Sequence, residues 1–223
     1  MTRETVKIAL RDTVPVLSGY LVLGIGFGVL MRASGYGFLW SVGMSLFIYA
    51  GSMQFAGLGL ITGGASLLTV ALTTLAVNAR HFFYGLSMID RYKNTGRMKP
   101  YLIFALTDET YSLVCSGEKS REYYALVSVL DQLYWVGGTA LGALVGSALR
   151  FNTKGIDFAM TALFITVFTD QWLTSEGHFP AVAGVGLSVL CLLLFGADSF
   201  LIPAMVLITA ALLLTMGKEA AHE

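Results

Sequence analysis

Apolar runs of membrane-spanning length, separated by short polar clusters, make up most of the chain: 14–31, 38–61, 65–89, 124–149, 157–173, 179–196 and 199–217, with a more polar candidate at 101–117. A hydrocarbon core about 30 Å thick is crossed by about 20 apolar helical residues, because lipid cannot satisfy free backbone groups and a helix satisfies its own. The pattern predicts an all-α polytopic membrane protein with about seven, six to eight, transmembrane segments. The bilayer is then its solvent. Arg3, Lys7 and Arg11 precede the first run like a signal-peptide n-region, but Met31-Arg32-Ala33-Ser34 offers no small-x-small cleavage site. That run is read as a retained span.

The composition, 56% hydrophobic and 13% charged, with mean hydropathy +0.72, excludes an ordinary soluble domain. Fourteen basic and fourteen acidic side chains cancel and lie mostly between the runs, which leaves no basic face for nucleic acid. Cys115 and Cys191 sit in separate apolar stretches without a CxxC partner, so neither a disulfide framework nor a zinc set is expected. The nine methionines and three histidines are scattered, and no metal or cofactor is expected. The loop at 89–100 is the most basic, but counting eight crossings places six Lys and Arg residues on one side and seven on the other. Orientation is therefore open, and it shifts again if 101–117 is re-entrant rather than a crossing.

Offsetting the chain by 118 residues pairs Gly19, Leu23, Gly24, Gly28, Arg32 and Gly37 with Gly137, Leu141, Gly142, Gly146, Arg150 and Gly155. An offset of 117 pairs Leu46-Phe47-Ile48 with Leu163-Phe164-Ile165 and Gln54 with Gln171. We expect one transmembrane transporter domain over 1–223, in two structurally related halves with interrupted helices, approximately 14–89 and 132–210, joined by 90–131. Such duplication is common in secondary transporters, whose sites lie between the repeats near the midplane. The glycines spaced four apart are expected to serve helix packing.

Polar residues inside apolar runs cost about 2.5–3.5 kcal/mol each when ionisable, so they face partners, cavities or pathways. In Tyr49-Ala50-Gly51-Ser52-Met53-Gln54-Phe55 the Gly-Ser step can loosen the helix. A helix restarting there would aim N–H groups at a carboxylate, with Ser52 and Gln54 as hydrogen-bonding groups and Tyr49 and Phe55 as apolar walls. The alternative is an ordinary span with Ser52 and Gln54 bonded to a neighbouring helix. Asn78, Arg80 and His81 interrupt the third run, where Arg80 either snorkels or binds and His81 either packs or titrates. Asp108 and Glu109 are adjacent, so on a helix they point about 100° apart and cannot serve one ligand together. Asp108, with Thr107, is a helix cap, or the acidic pair Asp108 and Glu109 supplies a coupling group or a counter-charge for Arg80 or a substrate ammonium. Asp170-Gln171 is the second-half counterpart of Met53-Gln54, with Gln171 a substrate-binding group and a buried Asp170 a proton-coupling group, a surface position being the alternative for Asp170. Asp131 and Asp198 are weaker acidic candidates, Asp198 for coupling or counter-charge.

YAGSMQF at 49–55, ARHFFYG at 79–85 and LTDET at 106–110, in this order and spacing, resemble the AzlC family, the large subunit of branched-chain amino acid exporters. The likeness covers nearly the whole chain. It implies secondary export of leucine, isoleucine, valine or similar apolar amino acids across the cytoplasmic (inner) membrane, driven by the proton or membrane potential. It also implies a small AzlD-type membrane subunit as partner and about seven helices. Met53 stands where a smaller or polar residue is expected in the first motif. Higher oligomers are left open.

A non-transporting structural or regulatory membrane subunit is the competing reading. An integral membrane enzyme using Asn78, His81, Asp108 and Glu109 is the third, but HExxH, GxSxG and intramembrane GxGD motifs are all absent.

Overall fold

A computed structural model of the chain describes residues 3–115, 117, 119–148, 165, 168–169, 172–173, 177–196 and 200–219. Among them there are helices and no strands. The chain divides into two compact units, Met1–Ile156 and Asp157–Glu223.

The first unit is built on two long helices, α2 (Val14–Ala33) and α9 (Arg121–Ala148). Their glycines face each other. A Cβ on Gly28 would lie 2.2 Å from the Thr139 carbonyl oxygen, one on Gly142 2.1 Å from that of Ile25, and one on Gly146 3.2 Å from Val29 Cα. Missing side chains let the two backbones touch, as expected where packing rather than hydrophobic exclusion joins helices. Because Gly24 meets Gly138, Gly28 meets Gly142 and Val29 meets Gly146, contacts advance in the same direction along both chains. The two helices therefore run parallel, and α9 serves as a ruler at about 1.5 Å per residue.

α1 (Arg3–Asp12) is amphipathic and precedes α2. Against the opposite end of the α2 and α9 pair, α3 (Phe38–Phe47) descends, and α4 (Gly51–Thr62) follows after a three-residue break. The run at 38–61, expected to pass straight through, instead reverses. Gln54 Nε2 donates to Ser45 Oγ at 2.9 Å, whereas these residues would stand about 13 Å apart along one straight helix. Tyr49 makes the turn with φ 45°, the single positive φ of a non-glycine among the described residues. α4 then rises beside α5 (Leu67–Val77). α5 continues through Asn78 into α6 (Ala79–Ser87), which reaches the end where α2 begins.

The segment at 101–117 also reverses. After a 3-10 turn at Gly96–Met98, α7 (Lys99–Phe104) leads to a bend at 105–107 and α8 (Asp108–Val114) returns. Tyr101 of α7 and Thr110 of α8 both bond to α9, at Gln132 (2.8 Å) and Asp131 (2.8 Å). Leu102, Leu106 and Val114 share a core with Ala9, Met88, Tyr92, Tyr123 and Tyr124, which lies at the starting end of α9. The chain thus returns to the end it left.

In the second unit α10 (Phe179–Phe195) packs on α11 (Leu201–Glu219), and Gly196 at φ 74° ends α10. Large apolar side chains are exposed in both units among the described residues: Leu39 is 82% exposed, Phe47 77% and Leu67 88% in the first, and Leu193 78% in the second. Among the described residues α2 is the one helix that passes a membrane test on length and composition.

Candidate functional site

The two reversals bring their tips together. Tyr49, at the α3 and α4 turn, is 3% exposed, and its ring centroid lies 6.1 Å from that of Phe104, at the end of α7. The chain between Phe47 and Gly51 leaves α3 and enters α4 within three residues, with Tyr49 in the left-handed region. Ala50, the residue preceding α4, caps nothing with its side chain. The first N–H groups of α4 are therefore left to other partners.

Arg80 joins three motifs. Its Nη2 donates to Ser52 Oγ at 3.1 Å, and its Nη1 lies 2.5 Å from Asp108 Oδ2. Ser52 is in the first turn of α4, Arg80 in the first turn of α6, and Asp108 opens α8. The assembly is not saturated. Arg80 Nε and Asp108 Oδ1 are both shielded from solvent and have no hydrogen-bond partner. An unused donor and an unused acceptor thus lie on opposite charges beside an uncapped helix start. Tyr84 neighbours Asp108 and stacks on Tyr111 at 4.3 Å and 11°.

Other expected residues serve elsewhere. Gln54 is fully buried. Its Nε2 binds Ser45, its Oε1 accepts from Trp135 Nε1 at 2.9 Å, and Ser45 Oγ bonds Thr139 Oγ1 at 2.8 Å. Both ends of the amide are used in tying α3 and α4 to α9. Phe55, 4% exposed, packs edge-on against Phe27 of α2 at 5.3 Å. Gly51 lets α4 approach Trp135, whose ring a Cβ would meet at 3.0 Å. Asn78 separates α5 from α6, and its carbonyl accepts from the His81 N–H at 3.0 Å. His81 Nδ1 is 3.3 Å from the same oxygen, and the ring lies 5.8 Å from Tyr84, so its contacts are within its own helix.

Thr107 caps α8, accepting from the Thr110 N–H, so Asp108 is the first helical residue and not the cap. Glu109 accepts from Tyr20 at 2.7 Å, while Arg80 pairs with Asp108. Tyr20 is joined to Thr107 (2.7 Å), Thr107 donates to Thr110 (3.0 Å), and Thr110 donates to Asp131 Oδ2 (2.8 Å). Asp131 is fully buried, and its Oδ1 has no partner. Tyr20 and Trp135 carry no signal in the sequence, since a single hydroxyl or indole in an apolar run has no periodicity, whereas Thr107 and Thr110 belong to the LTDET motif. Asp170, Gln171 and Asp198 lie outside the described residues.

A cavity of about 480 Å³ lies apart from these motifs, lined by Asp90, Arg91, Asn94, Thr95, Lys119, Arg121 and Tyr124. No group of three or more His, Cys, Asp or Glu residues able to hold a metal occurs among the described residues.

Residues 15–149 match the family model described as AzlC protein. The chain is 43% identical over 211 residues to the branched-chain amino acid transport protein AzlC of Bacillus subtilis (strain 168), covering 92% of this chain and 83% of that protein. It is also 43% identical to an uncharacterized membrane protein of Helicobacter pylori (strain ATCC 700392 / 26695), with 93% of each chain covered. Identity to the inner membrane protein YgaZ of Escherichia coli (strain K12) is 29%, over 88% of this chain and 83% of that one. No solved structure matches.

Proposed function

The chain belongs to the AzlC family, and from that premise we propose that it is a multi-pass secondary carrier of the cytoplasmic membrane. It exports branched-chain or similar apolar amino acids, together with a small AzlD-type membrane subunit. The observation that carries this reading is the Ser52, Arg80 and Asp108 assembly with its two unused polar atoms.

An amino acid main chain bears one carboxylate and one ammonium. Arg80 and the uncapped start of α4 suit the carboxylate. Asp108 suits the ammonium. In the structure each charge neutralises the other, so a zwitterion can replace both partners at once without leaving either charge alone. A charged substrate side chain would bring a third charge for which the assembly holds no counterpart. That selects apolar side chains. The exposed apolar surface, including Leu39 and Leu67, fits contact with lipid tails.

In this reading α2, the joined α5 and α6, and α9 cross the membrane, while α3 with α4 and α7 with α8 enter from opposite faces and return. Arg3, Lys7, Arg11, Arg91, Lys93, Arg97, Lys99, Lys119 and Arg121 then share one face, against Arg32 among the described residues of the other. The positive-inside rule makes the first face cytoplasmic. Asp170, Gln171 and Asp198 are proposed as the further polar functional groups of the related half.

The test is intracellular leucine or valine in cells lacking other exporters for them, producing the chain with and without the small subunit. Production of both should lower the internal pool. An unchanged pool contradicts export.

A further inference from the structure

Five side-chain oxygens form one file through the first unit: Glu109 Oε2, Tyr20 OH, Thr107 Oγ1, Thr110 Oγ1 and Asp131 Oδ2, with successive separations of 2.7, 2.7, 3.0 and 2.8 Å. Every separation is that of an O–H···O bond. Four such bonds require four hydrogens. The three hydroxyls supply one each, since Tyr and Thr each carry a single O–H. With both terminal carboxyls ionised, Tyr20 and Thr110 turn their hydrogens outward to the carboxylates. Thr107 then has one hydrogen for two links. One buried oxygen pair is left in contact without a proton between them.

One added proton completes the file, and it does so from either end. On Glu109 it gives Glu109 to Tyr20 to Thr107 to Thr110 to the Asp131 carboxylate. On Asp131 it gives the reverse order, ending on the Glu109 carboxylate, and there Thr110 must turn to donate to Thr107, opposite to the direction in the structure, where Thr107 donates. The two arrangements interconvert when each hydrogen shifts by one oxygen, so that one proton leaves one carboxyl and one arrives at the other. No oxidant or co-reactant is involved.

We propose that Glu109, Tyr20, Thr107, Thr110 and Asp131 hold one shared proton and pass it between the half-exposed Glu109 and the buried Asp131, and that this is the coupling proton of transport. The second clause rests on the carrier reading above; the first does not. The surroundings suit one proton. Among the described residues no Lys, Arg or His forms an ion pair with Glu109 or Asp131. The other ionisable groups facing them are tyrosines: Tyr49 from the α3 and α4 turn, Tyr101 from α7 and Tyr123 from α9. Asp131 Oδ1 is unpartnered, which leaves an outlet beyond the file. Asp108, which neighbours Glu109 in sequence, is engaged by Arg80 instead. The substrate pair and the proton file thus leave LTDET in different directions, from adjacent carboxylates.

The experiment is infrared spectroscopy of the full-length chain in lipid near pH 7, reading the deuterium-sensitive band of a protonated carboxyl. An amide in place of either acid can donate the fourth hydrogen itself. Wild type should show one such band, and both Glu109→Gln and Asp131→Asn should abolish it. A band that survives either substitution, or that is absent from wild type, overturns the shared proton. The transport role is read in proteoliposomes as leucine exchange and as leucine movement driven by a pH gradient. Thr110→Val should keep exchange and lose the driven movement, with Thr110→Ser restoring it. Driven movement in Thr110→Val equal to that in Thr110→Ser overturns the relay. Absence of leucine exchange in wild type removes the carrier reading and the transport role with it, while the infrared result still decides the shared proton.

Discussion

Arg80 and Asp108 form an ion pair with 2.5 Å between Nη1 and Oδ2, and each side chain remains about one third exposed, 35% and 34%. At that exposure the pair contributes little to stability, about 0–1 kcal/mol. Asp108→Asn should therefore insert normally and shift the melting temperature by no more than about 4 °C. Thermal unfolding of the detergent-purified variant checks this. A larger fall would make the pair a structural strut.

Gln54 stands in the opposite position. Its amide satisfies Trp135 Nε1 and Ser45 Oγ in a fully buried setting, and each group orphaned by Gln54→Leu costs about 1–3 kcal/mol. Gln54→Leu should lose thermal stability by that order, and Gln54→Leu with Trp135→Phe should recover part of it. Melting curves of the two variants give the comparison. Additive losses would show that the Trp135 bond is unimportant.

Gly28 and Gly142 have no room for a side chain, since the added Cβ would overlap backbone at 2.2 and 2.1 Å. Gly19, on the same helix as Gly28, has nothing within 4 Å. Gly142→Ala should force α2 and α9 apart and cost about 1–3 kcal/mol or more, whereas Gly19→Ala should be neutral. The yield of folded protein in membranes distinguishes them.

How far the sequence reached depends on the kind of signal. Among the described residues apolar run lengths located the helical segments, and the Gly-Ser step placed the interruption near Gly51, because both are local properties. The reversal at Tyr49 was not legible: 38–61 has the length and hydropathy of a straight span, and only Gln54 meeting Ser45 shows otherwise. The Arg80 partner was among the alternatives because charge demands charge. Gln54 and Phe55, read as substrate groups, show that an amide and a ring beside a helix break are equally suited to fastening the broken helix to its neighbours. The Tyr20 to Asp131 file draws on residues separated by up to 111 positions in sequence, and nothing in local pattern relates them.

The two reversals place loops on faces that a chain of straight spans would not. Residues near 36 and 65 should lie outside and residues near 93 inside. In a background without Cys115 and Cys191, Tyr36→Cys and Ala65→Cys should react with an impermeant thiol reagent in intact cells, and Lys93→Cys only after permeabilisation. Labelling of Tyr36→Cys and Ala65→Cys from opposite faces would show that α3 and α4 pass straight through.

Oppositely charged groups that hold the two ends of an amino acid are the centre of the proposed mechanism, and the most direct measurement is the initial rate of leucine efflux at matched membrane levels. Arg80→Gln and Asp108→Asn should each lower it by about tenfold or more, the equivalent of about 1.4 kcal/mol. Leucine amide, which lacks the carboxylate, should compete poorly with leucine for wild type. Efflux at the wild-type rate in both variants would contradict the assignment of Arg80 and Asp108 to the substrate.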